Sequence, residues 1–318
     1  MSQRPLDVAC VGYVFCDLIF AGLDRLPDPG QELYAPQFDI APGAAAITAT
    51  GAARLNLRTA LVTTIGQDAL GDFLVSRLRQ EGIDLSYVQK VDGARSSISV
   101  AISLARDRCF VSYSDVLRRP ELHPSHQMTP ELLSSTRHVH LAGLSANLEL
   151  SLSALERARN AGASISADIG WDSSGRWDQA IYRCLELVDI FLPNETEAVH
   201  LTRKDGARAA LSELAKYVAV PVVKLGAKGA MSIDEQGEVI TVPTLSVTPL
   251  DTTGAGDAFD AGFLYGYLKS YPRRDCLALG NICGALSVTK LGGATGIPRE
   301  AELLERFRRG ESWQGGTR

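Results

Sequence analysis

Residues 251–257 read DTTGAGD, and they directly precede a segment whose helical spacing places Phe259, Phe263 and Tyr267 on one apolar face. Glycines at a helix entrance let backbone N–H groups crowd around an anion, and the helix dipole favours negative charge at that end. The carboxylate of Asp257, in the first turn, then lies beside whatever anion the turn holds. The stretch therefore predicts an anion-binding helix start.

The same stretch suggests a reaction when the anion is a phosphoryl group in transfer. Asp257 is then the base that accepts the proton of the attacking hydroxyl, and Gly254, Ala255 and Gly256 stabilise charge on the phosphoryl oxygens. The alternative is an ordinary glycine-rich cap in which Asp257 only complements the helix dipole. The complete seven-residue string favours the first interpretation, because it is much less expected by chance than Gly-Ala-Gly-Asp alone.

Strand-like and helix-like segments alternate along most of the 318 residues, which indicates βαβ units and a mostly parallel sheet covered by helices. We predict strands at 7–12, 59–65, 138–142 and 164–168, and helices at 44–55, 69–81 and 149–161. The expected fold is a three-layer αβα domain that spans residues 1–318.

Two segments, about 13–40 and 95–115, do not follow this alternation. The second has Ile98, Val100 and Ile102 at every other position, as half-exposed strands do. We interpret both segments as strands of a small β-sheet lid that projects from the domain. The alternative is an edge extension with no function.

Composition restricts the classes of partner. The chain has 32 Lys and Arg against 37 Asp and Glu, a net charge of −5, and no basic tract. Nothing in this charge distribution favours nucleic acid or an anionic membrane, and there is no signal peptide pattern or apolar run of about 18 residues. The six cysteines are scattered without a C-x-x-C pair, which is typical of reduced, buried thiols. We expect a cytoplasmic protein.

The string at 251–257, continued as AFDAGF at 258–263, resembles the C-terminal signature of the ribokinase-like, or PfkB, family of carbohydrate kinases. The resemblance extends over almost the whole chain. Gly12 and Asp17 resemble the family's first strand and its sugar-binding aspartate. Residues 189–197 resemble its N-x-x-E segment, 223–229 its nucleotide-side glycine loop, and 287–294 its closing helix and adenine-side loop.

The resemblance implies an αβα core with a β lid, and MgATP-dependent phosphorylation of the terminal hydroxymethyl group of a sugar-like acceptor. It also implies a role for individual residues. These roles are acceptor binding for Asp17, Gly43 and Ile47; ATP binding for Asn194, Lys224, Gly226, Gly229 and Thr253; water-mediated Mg²⁺ binding for Glu197; and binding of a monovalent cation such as K⁺ for Asp251.

Several of these residues also have a purely structural interpretation. Asn194 and Glu197 have the spacing of a helix N-cap and the third helical position, which form a capping box. Mg²⁺ keeps much of its water and needs few direct carboxylates, so both roles are compatible. Gly226 and Gly229 alone would indicate a plain turn, and Asp17 a solvated loop residue beyond the first strand.

The chain departs from the family pattern on the acceptor side. Pro42 stands where the family has a glycine, Ile47 where it has a sugar-contacting Asn, and Gly170 where many relatives have the Asn of Asp-x-Asn. Proline removes a donor, and Ile47 replaces an amide with an apolar group. The donor side is intact, so we predict kinase chemistry on an acceptor unlike ribose or fructose.

Two other functions remain open at this point: a nucleoside kinase of the same fold, which the apolar Ile47 favours, and a non-catalytic sugar- or nucleotide-binding regulator. The edges of the lid sheet also suggest a homodimer that pairs through the lids. A group of arginines near the lid is either a site for an anionic acceptor or a solvated face: Arg95, Arg106, Arg108, Arg118 and Arg119.

Overall fold

The structure is a computed structural model, and it describes residues 4–104, 108–172 and 174–310. The strands are β1 (Leu6–Gly12), β2 (Val14–Leu23), β3 (Gln37–Ala44), β4 (Thr59–Gly66), β5 (Val88–Val91), β6 (Ser97–Leu104), β7 (Arg108–Tyr113), β8 (Thr136–Ala142), β9 (Ser164–Ala167), β10 (Ile190–Phe191), β11 (Val220–Lys224), β12 (Ala230–Ile233) and β13 (Val239–Val242). The predicted strands at 7–12, 59–65, 138–142 and 164–168 are all present.

The helices are α1 (Ala45–Arg54), α2 (Ala69–Gln80), α3 (Asp115–Arg118), α4 (Pro130–Ser135), α5 (Leu148–Asn160), α6 (Ile181–Leu185), α7 (Glu195–Thr202), α8 (Ala207–Leu214), α9 (Ala255–Leu268), α10 (Arg273–Ser287) and α11 (Glu300–Arg308). The predicted helices at 44–55, 69–81 and 149–161 are confirmed. Within the described ranges, no helix has both the length and the apolarity that a membrane span requires.

The central sheet has nine strands in the order β13-β12-β11-β10-β9-β8-β1-β4-β5. The seven strands from β11 to β5 are parallel, and β12 and β13 extend the sheet in antiparallel pairs. Strand β4 is buried along its whole length, because parallel strands of this kind are covered by helices on both faces. The carboxyl ends of these parallel strands meet at one edge, where open α/β sheets bind ligands.

Helices cover both faces of this sheet. Buried side chains of α5, α6, α7 and α8 share a core with one face, and those of α1, α2, α10 and α11 share a second core with the other. Phe259 and Phe263 of α9 pack with Leu277 of α10 over strands β10 and β11. The predicted three-layer αβα fold is confirmed.

A separate four-stranded sheet follows the order β3-β2-β6-β7, with β2 and β6 parallel and the other pairs antiparallel. Its strands come from the two segments that break the alternation, although residues 105–107 lie outside the described residues. Strand β3 continues to Ala44, past the expected end of the first segment at residue 40. Pro42 fits within it because β3 is an edge strand, where one backbone N–H can be missing.

Candidate active site

The start of α9 is open to an anion. Gly254 precedes the helix with a φ of 69°, a left-handed conformation that glycine adopts without strain. Among the described residues, no side chain caps this helix end. The Ala255 N–H donates to the Thr252 carbonyl oxygen at 3.4 Å, and the N–H groups of the next residues in the first turn keep their donor capacity, to which the helix dipole adds.

Ile47 lies directly behind this turn. Its side chain is 1% exposed, and its Cδ1 occupies the space that a Cβ on Gly254 or Gly293 would need. The resemblance assigns Ile47 to acceptor binding. The structure instead places its side chain in the packing under the glycine-rich turn, with Ala258 and Ile297.

Asp257 is half-buried in the first turn of α9. Burial and the nearby negative charge of Asp168 raise the pKa of its carboxyl group to about 7, although the positive charge of Lys224 opposes the shift. A carboxylate with a pKa near the working pH is well suited to accept and release a proton.

Asp17 lies on β2 of the small sheet, opposite Ala41 and Ser99, and it is 6% exposed. Its carboxylate lies against Gly43, where any Cβ would overlap it. Burial, with the negative charges of Asp257 and Asp251, raises the pKa of Asp17 to about 8. Within the described part of the chain, no donor is recorded for this carboxylate, so its hydrogen-bonding capacity is left for a ligand.

Asn194 and Glu197 form the predicted capping box at the start of α7. The Asn194 side chain accepts from the Glu197 N–H at 3.0 Å, and Glu197 Oε2 accepts from the Asn194 N–H at 2.8 Å. Glu197 is buried, and burial together with the charge of Asp168 raises its pKa to about 7, with Lys224 opposing.

Lys224, the last residue of β11, points into the protein. Its Nζ lies 2.7 Å from Asp168 Oδ2 and 3.1 Å from Asp260 Oδ1. Sequence reasoning missed Asp260, although its position three residues after Asp257 on one helix could have indicated it. The position of Asp168 just beyond the carboxyl end of β9 was a similar signal.

Asp251 and Thr253 belong to the loop before α9. The Asp251 carboxylate accepts from the Thr253 N–H at 2.9 Å, from the Gly292 N–H at 3.1 Å and from the Ser103 hydroxyl at 3.3 Å. The neighbouring Thr252 accepts from Arg108 Nη1 at 2.6 Å. Strands β6 and β7 of the small sheet thus contact the loop that carries the glycine-rich turn. Of the arginines near the lid, Arg106 lies outside the described residues.

Gly226 and Gly229 bound the turn between β11 and β12, with φ values of 59° and 96°. A Cβ on Gly229 would overlap the carbonyl oxygen of Val242, whereas one on Gly226 would meet open space. Both therefore serve the turn conformation, and only Gly226 leaves room beside it for a ligand.

The chain is similar to known proteins over most of its length. A family model described as "pfkB family carbohydrate kinase" matches residues 5–300. The chain belongs to the pfkB family of carbohydrate kinases. Members are phosphotransferases that act on sugar hydroxyl groups, so the predicted enzyme class is confirmed.

Three proteins illustrate the similarity. An uncharacterized sugar kinase of Archaeoglobus fulgidus is 30% identical over 79% of this chain and 100% of its own length. Arabidopsis thaliana ribokinase, solved with ribose and ATP, is 22% identical with a TM-score of 0.80, covering 95% of this chain and 99% of its own. An Escherichia coli protein of the same fold, solved with ATP and Mg²⁺, is 23% identical with a TM-score of 0.81, covering 96% and 99%.

Proposed function

We propose that the protein transfers the γ-phosphoryl group of MgATP to a hydroxymethyl group of a sugar or sugar derivative. The observation that carries this proposal is Asp257 in the first turn of α9, beside the uncapped N–H groups that follow Gly254. The acceptor oxygen and the phosphoryl group meet at this helix end. The proposed base, Asp257, thus lies next to the proposed phosphoryl site, and both are partly shielded from solvent.

In the proposed reaction, Asp257 accepts the proton of the acceptor hydroxyl group while the oxygen of that hydroxyl forms a bond to the γ-phosphorus. The bond from the γ-phosphorus to the β,γ-bridging oxygen breaks, and ADP leaves with that electron pair. Backbone N–H groups at residues 254–257 donate to the phosphoryl oxygens and stabilise the charge that develops there.

ATP and Mg²⁺ fit the residues on the donor side. Asp168, Glu197, Asp257 and Asp260 all interact electrostatically with the Lys224 ammonium group. Burial and the negative charge of Asp168 raise the pKa of Glu197, Asp257 and Asp260, so an added cation is favoured there. We expect Glu197 to hold Mg²⁺ through water, with Asn194 orienting that carboxylate. The cation, when bound, neutralises phosphate charge. Gly226, with open space beside it, and Thr253 are the expected nucleotide contacts.

The Asp251 carboxylate is the proposed ligand of a monovalent cation such as K⁺. Both Asp251 oxygens already accept hydrogen bonds from backbone N–H groups, so a cation would share them. Comparing the rate in potassium buffer with the rate in sodium-only buffer tests this. Equal rates would remove Asp251 as a cation ligand.

The acceptor is expected to lie between Asp17 and Asp257. Asp17 has free hydrogen-bonding capacity, and Gly43 lets its carboxylate stand close to the backbone of β3. The nucleoside alternative relied on Ile47 as an apolar wall of the pocket. Because that side chain is buried under the turn, it gives no support for a nucleoside over a sugar.

The decisive experiment is ADP release from MgATP across a panel of sugars, sugar acids, sugar phosphates and nucleosides, followed by ³¹P NMR of the product. We expect one class to give a phosphomonoester on a CH₂OH carbon. Turnover on nucleosides alone would favour the nucleoside kinase. No turnover on any acceptor, with ATP still bound, would favour the non-catalytic regulator.

The small sheet also supports a homodimer. The face opposite Asp17 is apolar and partly or fully exposed, and it is bounded by the edge strands β3 and β7. A self-complementary patch of this kind favours a two-fold pair. Its residues are Leu18, Phe20, Phe38, Ile40, Val100, Ile102 and Val111. Light scattering of the wild type should give a mass in solution of twice the 34.1 kDa of the chain. The Val111→Asp variant should have the mass of a single chain. A monomeric wild type would refute the pairing.

A further inference from the structure

A buried group of charges lies directly beneath the start of α9. Lys224 Nζ is 2.7 Å from Asp168 Oδ2, and it is 3.1 and 3.2 Å from the two carboxylate oxygens of Asp260. The Lys224 side chain is 9% exposed and that of Asp260 is fully buried. Lys224 and Asp168 come from the ends of two strands and Asp260 from α9, so the sheet and one helical layer meet here.

The ammonium group abuts the glycine-rich turn. A Cβ built on Gly256 would lie 3.2 Å from Lys224 Nζ, which is tighter than ordinary side-chain contacts. The absence of a side chain at Gly256 therefore lets a full positive charge approach the backbone that would hold the phosphoryl group. That charge adds to the partial charge of the helix N-terminus.

Two other acids compete for the same ammonium group. Lys224 acts electrostatically on Asp257 from α9 and on Glu197 from α7. An ammonium group that paired with Asp257 would make it a weaker base. The contacts with Asp168 and Asp260 keep the ammonium group paired with these two side chains instead of with Asp257.

Such an arrangement is costly to bury. Removing an ammonium group and two carboxylates from water carries a large desolvation penalty that ion pairing only partly offsets. Apolar residues would fill the same place under α9 at a lower cost. Perturbed charges of this kind cluster at functional sites.

We propose that Asp260 is a positioning residue that, together with Asp168, holds the Lys224 ammonium group beneath Gly256, where it stabilises the phosphoryl group in transfer. This inference rests on the proposed kinase reaction. Asp260 itself contacts neither substrate, and its effect passes through Lys224.

Asparagine and leucine at position 260 form a matched pair of variants. Burial raises the pKa of Asp260 well above its usual range despite Lys224. Burial acts in the same direction on Asp168, but Lys224 and its hydrogen bonds outweigh it and lower that pKa. Asparagine keeps the size of Asp260 and an oxygen that accepts from the ammonium group. Leucine has a similar size but cannot contact the ammonium group.

The experiment measures kcat, both KM values and the melting temperature of five forms on the best acceptor: wild type, Asp260→Asn, Asp260→Leu, Lys224→Met, and the double variant Asp260→Leu with Lys224→Met. We expect Asp260→Leu and Lys224→Met each to lower kcat by about 10²-fold with little change in KM for ATP. Asp260→Asn should stay within about fivefold of wild type, since the amide oxygen can still accept from Lys224 Nζ. The double variant should also lose about 10²-fold, because coupled residues are not additive.

Asp7→Leu is the matched control. Asp7 is another buried carboxylate held by arginines, Arg58 and Arg137, but at the amino end of β1. It should lower the melting temperature and leave kcat unchanged.

A double variant that loses about 10⁴-fold would show that Asp260 acts independently of Lys224, and it would overturn the inference. So would wild-type kcat in Asp260→Leu. If the wild type transfers no phosphoryl group to any acceptor, the proposed function fails, and this inference fails with it.

Discussion

The donor side and the acceptor side of the site are built differently. On the donor side, the capping box of Asn194 and Glu197 and the ion pairs of Lys224 hold these side chains to protein partners. On the acceptor side, the Asp17 carboxylate faces Gly43, and no hydrogen-bond donor among the described residues reaches it. The charged side chains of the donor side are thus held by the protein, whereas the main polar group of the acceptor side is left to a ligand.

The backbone shows the same contrast. Gly254, the residue before α9, has a positive φ of 69°, which glycine adopts without strain. Ala44, the residue before α1, also has a positive φ of 55°, and alanine is strained there. The strained Ala44 and the unpaired Asp17 carboxylate both lie on the acceptor side. The donor side also has unmet hydrogen-bonding capacity, in the buried Thr253 hydroxyl, which has no partner among the described residues.

The largest expected effect is on the donor side. Asp257→Asn removes the proposed base but keeps the size of the side chain, so kcat should fall by about 10³-fold with every acceptor. ATP binding, measured by calorimetry, should remain. Near-normal turnover in this variant would show that another group takes the proton.

On the acceptor side, Asp17→Ala removes the carboxylate that we propose to hydrogen-bond the acceptor. We expect kcat/KM for the acceptor to fall by about 10- to 100-fold, while KM for ATP stays constant. Steady-state kinetics in both substrates measure this difference. An equal rise in KM for ATP would erase the distinction between the two sides.

The pH dependence of the reaction involves Asp257 and Asp17, one residue from each side of the site. The pKa of Asp257 is raised to about 7, and only the ionised form accepts a proton. The acceptor kcat/KM should therefore fall about tenfold for each pH unit below 7 and level off above it. Protonation of Asp17, with a pKa raised to about 8, leaves it able to hydrogen-bond, so it should not add a steep second limb. A profile that is flat from pH 5 to 8 would contradict the base assignment.

A substitution of Ile47 tests whether this residue belongs to the acceptor pocket or to the packing under the glycine-rich turn. Because its side chain packs under Gly254, Ile47→Val should lower the free energy of unfolding by about 1 kcal/mol and leave the ranking of acceptors unchanged. Chemical denaturation and the acceptor panel measure the two effects. A changed ranking with unchanged stability would place Ile47 in the acceptor pocket.

The smallest expected effect is at Ala44. Ala44→Gly should stabilise the protein by about 1 kcal/mol, because glycine adopts a φ of 55° without strain. The midpoint of urea denaturation should rise. A lower midpoint would indicate that the unfolded-state entropy of glycine outweighs the strain.

Local sequence patterns determined much of this protein. Alternating strands and helices, the glycine-rich start of α9, and the capping box all depend on residues a few positions apart, whose spacing is visible in the sequence. The family signature added roles to those residues, and the matches to known kinases confirmed the fold and the enzyme class.

Only the tertiary structure decided the rest. Lys224 meets Asp260 and Asp168 across 36 and 56 residues, Ile47 packs under a turn more than 200 residues away, and burial sets the pKa of Asp17 and Asp257. The free energy of a charge depends on solvent exclusion and on neighbours from distant segments. Sequence spacing does not record either of them, so the packing under the turn and the protonation of the site became visible only in the folded chain.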